Sequence, residues 1–464
     1  MMAILRGHDP LSRRYLLGTI GSLGAALSRG TLAPRPTAAS HGAVLTIDGD
    51  QRFQTMAGFG ASARVFDDPH LTETFDPATE RAAVVVPEAA QDEILDLLYT
   101  DLGLTRLRPN LDGPGIEPDN DNADPDVTDL TRFNFAWKRL DAHIDLARRC
   151  VERGVDTSFF SPLQLEAWMT EENPAEYVEW ALAVLRRARD RGLPMPYLSV
   201  VNEPGYQGSG IWSGEFLRDV IKLLGPRLRA EGFETRFVAP DDLNASRASE
   251  RCRIILADED ARRYVGALAC HLYDEPITRV SQMTELSAEY GLPLWMTEWY
   301  QADGFEWAAT MQALIADYGV SAVDYLWGFF GQWQDNGSQL IVLTHDAANR
   351  YTGHNLRKQY FVVGQFSRYV RPGAVRVRAT STDPAIRLSA FVDGSTPILV
   401  ALNSGAVEQP VDVTLAGFPD TTAVRPVRTS VTEDWAELDA IPVRGSRFAA
   451  VLPPSSLTTF VGAS

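Results

Sequence analysis

Short runs of β-branched and other apolar residues alternate with longer amphipathic segments between residues 57 and 371. The short runs predict buried strands, and the longer segments, whose apolar residues lie three or four positions apart, predict helices packed on one face. Eight strands alternating with helices predict an α/β fold, the (β/α)8 TIM barrel. The predicted strands are 58–61, 105–110, 157–161, 197–202, 236–240, 268–271, 294–298 and 323–327. The clearest predicted helices are 137–153, 175–191, 215–231, 277–290 and 306–318.

The pattern changes after Arg371-Pro372-Gly373. Alternating apolar and polar segments are now separated by Gly, Pro, Asp and Ser, and few helical patterns occur. Alternation with a period of two between turn residues predicts antiparallel strands. The predicted segments are 375–379, 386–391, 398–403 and 411–415. We therefore expect a barrel followed by a smaller antiparallel β domain.

The first 40 residues differ from both regions. Arg13-Arg14 precedes an apolar run that ends near Leu27, and a segment rich in Pro, Ala and Ser follows at 33–40. The apolar run is too short to span a bilayer. The pattern resembles a twin-arginine export signal and its linker, and it predicts a secreted enzyme, extracellular or periplasmic. A ragged terminus with a chance arginine pair is the alternative.

Composition narrows the partners of the chain. A chain of 464 residues with a formal net charge of −18 is unsuited to binding a polyanion, because nucleic-acid binding needs clustered Lys and Arg. A neutral ligand fits better. The cysteines Cys150, Cys252 and Cys270 lack zinc-site and disulfide-framework spacing and are expected to be buried. We expect a monomer without a cofactor, a metal, a nucleic-acid partner or stable insertion into a membrane.

Two glutamates end predicted strands of the barrel. Glu203 follows the fourth strand in an Asn-Glu-Pro tripeptide, and Glu298 ends the seventh in Thr-Glu-Trp. Barrels of this type carry their reacting groups at the C-terminal ends of strands. Hydrolysis of a glycosidic bond with retention needs an acid that protonates the leaving oxygen and a carboxylate that attacks the anomeric carbon, roughly 5–5.5 Å apart. We predict Glu203 as acid/base and Glu298 as nucleophile of a metal-independent retaining β-glycosidase that binds a carbohydrate.

Side chains beside this pair predict contacts to the sugar. Asn202 precedes the acid and is positioned to bond the hydroxyl next to the reacting carbon. Trp168 and Trp327 are predicted platforms for the apolar faces of sugar rings, whereas Trp299 and Trp333 are assigned to packing. The acidic loop 117–129 lacks the register of a calcium-binding loop, which favours a solvated loop.

Two alternatives from other classes stay open. A carbohydrate-binding barrel without catalysis has no need of the paired glutamates. A metal-dependent hydrolase would use His271, His345 or His354, which lack the spacing of common zinc motifs.

Several motifs together resemble glycoside hydrolase family 30. Asn-Glu-Pro and Thr-Glu-Trp look like the retaining barrel glycosidases in general, and three further stretches narrow the resemblance. These are 54–62 (QTMAGFGAS), Ser161-Pro162 followed by Ala167-Trp168-Met169, and 365–373 (QFSRYVRPG). The resemblance covers nearly the whole chain after the predicted export signal. The chain departs from the family at 163–166, where it reads Leu-Gln-Leu-Glu in place of the frequent Trp and prolines.

The resemblance implies a domain arrangement and further roles. The family's β-sandwich includes a segment before the barrel, so we expect an export signal and linker at 1–40, a strand segment joining the sandwich at 41–57, the barrel at 58–370 and the sandwich at 371–464. Arg108 would bond the nucleophile or a sugar hydroxyl, with an interior salt bridge as the alternative. His271 and Tyr273 would position the nucleophile, with a buried core histidine as the alternative.

The resemblance also implies candidate substrates. They are extracellular glycans of the xylan, β-1,6-glucan or β-1,6-galactan type, with a glucosylceramidase-like exo-β-glycosidase as the alternative.

Overall fold

The computed structural model describes residues 42–68, 71, 85–109, 111, 114–136 and 140–463. The predicted export signal and linker lie outside these residues, and so do Asn110 and Trp137 at the ends of two predicted elements. Among the described residues, no helix combines the length and the apolar character needed to cross a membrane.

Eight parallel strands close into a barrel. The chain first forms β1 (Ala43–Thr55), which lies outside the barrel, and then supplies the barrel strands in chain order. They are β2 (Gly58–Ala63), β3 (Arg106–Pro109), β4 (Thr157–Phe160), β5 (Tyr197–Ser199), β6 (Arg236–Asp242), β7 (Val265–His271), β8 (Leu294–Trp299) and β9 (Ala322–Tyr325). The ring closes because β2 also pairs in parallel with β9. The predicted barrel is confirmed.

Most predicted strands have shifted ends, and two of the differences affect the site. β5 stops at Ser199, so Asn202 and Glu203 lie in the loop that follows it. The last predicted strand is divided, because β9 ends at Tyr325 and Trp327 begins another strand. That strand belongs to a three-stranded sheet of β10 (Trp327–Gly331), β11 (Gln339–His345) and β12 (Tyr351–Leu356), which the sequence pattern did not predict.

Amphipathic helices follow most barrel strands and bury their apolar faces against them. The five predicted helices are present with shifted ends, and four further helices were not predicted. They are α1 (Glu88–Leu95), α2 (Leu140–Val151), α3 (Pro174–Asp190), α4 (Gly214–Ala230), α5 (Ala245–Ala257), α6 (Glu259–Arg262), α7 (Ser281–Tyr290), α8 (Gly304–Ala316) and α9 (Lys358–Ser367). Side-chain caps begin several of them; Ser213, for example, accepts a bond from the Phe216 amide at the start of α4.

The barrel interior combines a small apolar cluster with a buried ion pair. Phe159, Trp295 and alanines from β7 and β9 fill one part of it. Beside them the Arg106 guanidinium donates two bonds of 2.9 Å to Asp324 and lies 4.1 Å from the centre of the Trp295 ring. Both charged side chains are almost fully buried, so each needs the other as its partner. Cys150, Cys252 and Cys270 are buried free thiols.

The chain after the barrel forms a ten-stranded sheet with its own apolar core, and β1 is part of it. β1 pairs antiparallel with β13 and parallel with β16, so the sheet is antiparallel apart from this one pair. The other strands are β13 (Val375–Ser381), β14 (Ile386–Asp393), β15 (Thr396–Asn403), β16 (Gln409–Ala416), β17 (Ala423–Ser430), β18 (Ala436–Glu437), β19 (Ile441–Pro442), β20 (Arg447–Leu452) and β21 (Ser456–Ala463). The predicted second β domain is confirmed.

Glutamines from two of the family motifs join the barrel to this sheet. Gln54 donates to the carbonyls of Ile315 and Val320 at the end of α8. Gln365 on α9 is fully buried; it donates to the Thr429 hydroxyl at 2.8 Å and accepts from the Thr459 hydroxyl at 2.6 Å. These bonds explain why polar residues stand at positions that face a packed interface.

We expect Gln365→Ala to lower the free energy of unfolding by about 2–3 kcal/mol, because two buried hydroxyls each lose their bond to the side-chain amide. Urea denaturation monitored by fluorescence measures the change. Gln51→Ala is the control, since Gln51 is exposed and accepts one bond from Arg378, and its effect should stay within about 0.5 kcal/mol. Equal effects of the two substitutions would contradict the role given to Gln365.

Candidate active site

Glu203 and Glu298 meet at the C-terminal end of the barrel. Glu298 lies in β8, and Glu203 lies in the loop after β5. One carboxylate oxygen of each, together with a ring nitrogen of His271, falls within a span of 4.8 Å. Each glutamate keeps 7% of its surface exposed, whereas His271 is fully buried. The two carboxylates therefore face solvent from above a buried layer of polar groups.

Arg108 is the largest side chain of that layer. Its guanidinium lies at the end of β3 and donates to the Glu298 carboxylate at 2.8 Å and to the Ser161 hydroxyl at 3.1 Å. It also donates to the side-chain oxygen of Asn202 and lies 3.2 Å from a carboxylate oxygen of Asp241. Arg108 therefore connects groups from four other strands or strand ends.

Asp241 holds the layer from the side of β6. One of its oxygens accepts from the Ser161 hydroxyl at 2.5 Å, and the other accepts from the Thr297 hydroxyl at 2.6 Å. Burial by itself raises the pKa of Asp241, but Arg108, His271 and Ser161 together lower it well below its usual range. Asp241 is therefore a carboxylate at neutral pH.

His271 ends β7 between two carboxylates. Its Nδ1 lies 2.8 Å from Glu203 Oε1, and its Nε2 lies 3.4 Å from Asp241 Oδ1. Burial by itself lowers the pKa of His271, but the charges and hydrogen bonds of Glu298, Asp241 and Glu203 raise it to about 10. The imidazole is therefore protonated at neutral pH and donates to Glu203.

The two glutamates have different partners. Burial raises the pKa of Glu203, the neighbouring Glu298 carboxylate adds to the rise, and His271 acts against it. Glu298 instead accepts bonds from Arg108 and from the Tyr273 hydroxyl, the latter at 2.9 Å. Two donors therefore hold Glu298, whereas burial favours the protonated form of Glu203.

This arrangement corrects one implication of the family resemblance. His271 was expected to position Glu298 together with Tyr273, but His271 bonds Glu203, and of these two residues Tyr273 alone bonds Glu298. Arg108 has both of the contacts considered for it. Its buried guanidinium pairs with Glu298, as expected for a contact to the nucleophile, and with Asp241, as in an interior salt bridge.

Backbone strain coincides with this site. Glu203 and Asp241 have positive φ values of 50° and 62°, which residues other than glycine rarely adopt. The Glu203 amide donates to the Asp241 carbonyl at 2.9 Å, so each strained residue holds the other. Strain of this kind persists only where the surroundings determine the conformation.

The predicted sugar contacts lie at different depths. Trp327 is buried to 7% exposure, and its ring stacks on Phe330. Trp168 is half-buried and donates from its ring nitrogen to the Glu117 carbonyl at 2.7 Å. Trp299, which was assigned to packing, lies edge-to-face against Tyr273 and so borders the bond to Glu298.

Glu203, His271 and Glu298 form the one group among the described residues whose donor atoms are close enough for a metal ion. Within this group, the contact of 2.8 Å between His271 Nδ1 and Glu203 Oε1 has the length of a hydrogen bond.

The acidic loop 117–129 holds itself together. Asp121, Asp124 and Asp129 accept bonds from backbone amides two to eight residues away. Such turns satisfy the carboxylates locally. Its carboxylates form no metal-binding group among the residues that the structure describes.

Sequence reasoning missed Asp241, Ser161 and Thr297 as members of the site. The rule that reacting groups follow barrel strands would have singled out Asp241, which follows the predicted strand 236–240 directly. Ser161 and Thr297 carried no such signal, because a hydroxyl in a strand is common and its partner lies on another strand.

Comparisons with known proteins agree with this geometry. A glucosylceramidase-like protein of Caenorhabditis elegans is 23% identical over 76% of this chain and 76% of its own length. A glucuronoxylanase of Bacillus subtilis is 24% identical over 59% of this chain and 62% of its own length, so the chain spans less than two thirds of that relative. No protein-family model matches the sequence.

Solved structures show the same fold. A family 30 endoxylanase from Clostridium papyrosolvens superposes with a TM-score of 0.69 over 91% of this chain and all of that chain, at 23% identity. A closed parallel barrel with a side β domain and two facing glutamates defines the class of barrel glycoside hydrolases. Within that class, the comparisons agree with the resemblance drawn from the motifs: the chain is similar in sequence to these relatives and similar in fold to a family 30 endoxylanase.

We expect the stability of the protein to fall as pH rises through the His271 titration. A group whose pKa is raised by folding stabilises the fold fully at pH values below its pKa in the unfolded state, here 6.5. That contribution is lost as the pH rises through its pKa in the folded state, here about 10. The melting temperature, measured by calorimetry, should decline over this window, and the decline should be smaller in His271→Gln.

His345→Gln is the control for this experiment, since His345 lies in β11 and contacts a backbone carbonyl outside the site. It should keep the pH dependence of the parent protein. An identical decline in the parent and in His271→Gln would contradict the protonated state assigned to His271.

Proposed function

We propose that the protein is a retaining glycoside hydrolase that cleaves β-glycosidic bonds of an extracellular polysaccharide or oligosaccharide by double displacement. The observation that carries the proposal is the gap of at most 4.8 Å between carboxylate oxygens of Glu203 and Glu298. Retaining enzymes hold their carboxyl groups roughly 5–5.5 Å apart, and inverting enzymes need about 6.5–9.5 Å to admit a water molecule. The short gap supports retention.

Glu203 acts as the acid/base in this proposal. In the first step it gives its proton to the glycosidic oxygen as the bond from that oxygen to the anomeric carbon breaks. The burial that raises the pKa of Glu203 favours the protonated form that this step needs. The carboxylate that remains is stabilised by the protonated His271, whose Nδ1 lies 2.8 Å away.

Glu298 acts as the nucleophile. Its carboxylate oxygen attacks the anomeric carbon and forms a glycosyl ester with the enzyme. Glu203 then takes a proton from water, the water oxygen attacks the same carbon, and Glu298 leaves as a carboxylate. Two inversions at one carbon give net retention. Arg108 and Tyr273 orient Glu298 for the attack through bonds of 2.8 and 2.9 Å.

Nearby side chains supply the contacts to the sugar. Asn202 accepts from Arg108 with its oxygen, which leaves its amide nitrogen to donate to the hydroxyl beside the reacting carbon. Trp168 and Trp327 have rings fixed by a hydrogen bond and by stacking, respectively, and fixed aromatic rings suit the apolar faces of sugars. No step of this chemistry uses a metal ion.

The substrate class is proposed on two grounds. A relative that acts on glucuronoxylan, by its name, supports a polysaccharide such as xylan, with β-1,6-glucan and β-1,6-galactan as further candidates. Arg13-Arg14 and the apolar run after it support export and an external substrate. The glucosylceramidase-like relative is the observation that favours the second candidate function, an exo-acting β-glucosidase on a glycolipid.

A screen of defined β-glycans in excess chelator tests substrate, retention and metal independence together. We expect one polysaccharide to be cut, with initial products that carry the β anomer in proton NMR spectra. Product sizes from mass spectrometry separate internal cleavage from removal of end sugars. Initial α-anomeric products would contradict retention, and loss of activity in chelator would contradict metal independence. Cleavage of glucosylceramide alone would establish the second candidate.

Substitution of the two glutamates tests their roles. We expect Glu298→Ala to fold normally and to lose at least about 10³-fold in kcat on every substrate, because no nucleophile remains. Glu203→Ala should lose as much on a polysaccharide but retain bond cleavage on an activated aryl β-glycoside, whose leaving group needs no proton. Undiminished hydrolysis by Glu298→Ala ends the proposal, and the reverse response to the aryl substrate exchanges the two roles.

A further inference from the structure

Asp241 is linked to both glutamates by two separate bridges. Its Oδ2 lies 3.2 Å from Arg108, which donates to Glu298 at 2.8 Å through its other terminal nitrogen. Its Oδ1 lies 3.4 Å from His271 Nε2, and the opposite ring nitrogen lies 2.8 Å from Glu203. Each bridge is one side chain long, so a displacement of Asp241 reaches both reacting carboxylates.

The backbone of Asp241 forms a third link. Its carbonyl accepts the Glu203 amide at 2.9 Å, and both residues have positive φ. The Asp241 side chain has no exposed surface, so it touches neither substrate nor solvent. Any effect of Asp241 on the reaction must therefore pass through the groups that it holds.

A second buried pair in the same barrel shows what a merely structural aspartate looks like. Arg106 lies two residues before Arg108 on β3, and Asp324 binds it with two bonds of 2.9 Å. That pair is closed, since each of these two Asp324 oxygens accepts from a different nitrogen of Arg106. Asp241 instead accepts from Ser161 and Thr297 and shares Arg108 with Glu298.

The charges of the cluster explain why Asp241 and Glu298 share Arg108. Arg108 and protonated His271 carry two positive charges, and Asp241 and Glu298 carry two negative ones. The cluster is then neutral when Glu203 holds its proton, which is the state that the first step requires. Glu298, Asp241 and Glu203 are the acidic groups that raise the pKa of His271 most. Without the charge of Asp241, only Glu203 and Glu298 remain of this set.

We infer that Asp241 is a positioning residue, which fixes Arg108 under the nucleophile and holds His271 against the acid/base. The inference rests on the proposed function. It assigns to Asp241 no contact with substrate, and it predicts effects on the turnover number and on the protonation of His271 more than on substrate binding.

The matched variants Asp241→Asn and Asp324→Asn test this inference, because each removes the charge of one buried aspartate bonded to an arginine. We expect Asp241→Asn to lose about 10²-fold in kcat with KM changed by no more than about threefold, since a small displacement of reacting groups has effects of this size. Asp324→Asn should lose thermal stability but keep kcat within about threefold of the parent.

A spectroscopic measurement separates positioning from a structural role. The protein has seven histidines, and the His271 ring signal in labelled NMR spectra is assigned by its absence from His271→Gln. In the parent and in Asp324→Asn this signal should stay in its protonated position through neutral pH. In Asp241→Asn it should titrate within the neutral range, and the pH profile of kcat should change with it.

Several outcomes would overturn the inference. Asp241→Asn with the kcat and pH profile of the parent would do so, and so would equal losses in both variants with an unshifted His271 signal. If Asp241→Asn does not fold, Thr297→Val removes one bond to Asp241 without changing charge. An unaltered kcat and pH profile in that variant would then refute the inference. Active Glu298→Ala would instead refute the proposed function itself.

Discussion

The mutual compensation of buried charges at the C-terminal end of the barrel is the constraint on which the site depends. The buried charges of Arg108 and His271 need carboxylates as partners, and the buried carboxylate of Asp241 needs these two cations. The members come from β3, β6, β7 and β8 and from the loop after β5. The site is therefore complete only when the barrel is closed. A barrel with a misplaced strand would bury a charge without its partner.

The barrel interior changes character along its axis. Phe159, Trp295 and several alanines fill one part, and the closed pair of Arg106 and Asp324 lies beside Trp295. The layer above contains the branched network of Arg108, in which one guanidinium serves two carboxylates, an amide and a hydroxyl. A closed pair gives rigidity, whereas a branched network also transmits the charge of one member to the others.

The sequence predicted the parts of the molecule that depend on local pattern. All eight barrel strands could be read from short apolar runs, and Glu203 and Glu298 from their places after two of them. The strand β10 was merged with β9, because Trp327 continues the apolar run of Val323 without a turn residue that marks the break. The two strands become distinct only in their partners, which local pattern does not contain.

The partners of the site side chains were beyond the sequence for the same reason. The spacing of His271 and Tyr273 does not indicate which glutamate each residue bonds. In the structure His271 bonds Glu203 and Tyr273 bonds Glu298. Asp241 follows a predicted strand directly, but its burial and its partners become known only when the surrounding strands are placed.

The position of β1 has a consequence for how the chain reaches its native state. β1 is an inner strand of the sheet, bonded to β13 on one side and β16 on the other, and Val44 bonds to Thr382, 338 residues further along the chain. A ribosome therefore releases this strand long before its neighbours exist. β1 therefore stays without its partner strands through synthesis of the whole barrel, so completion of the sheet is a late step in folding.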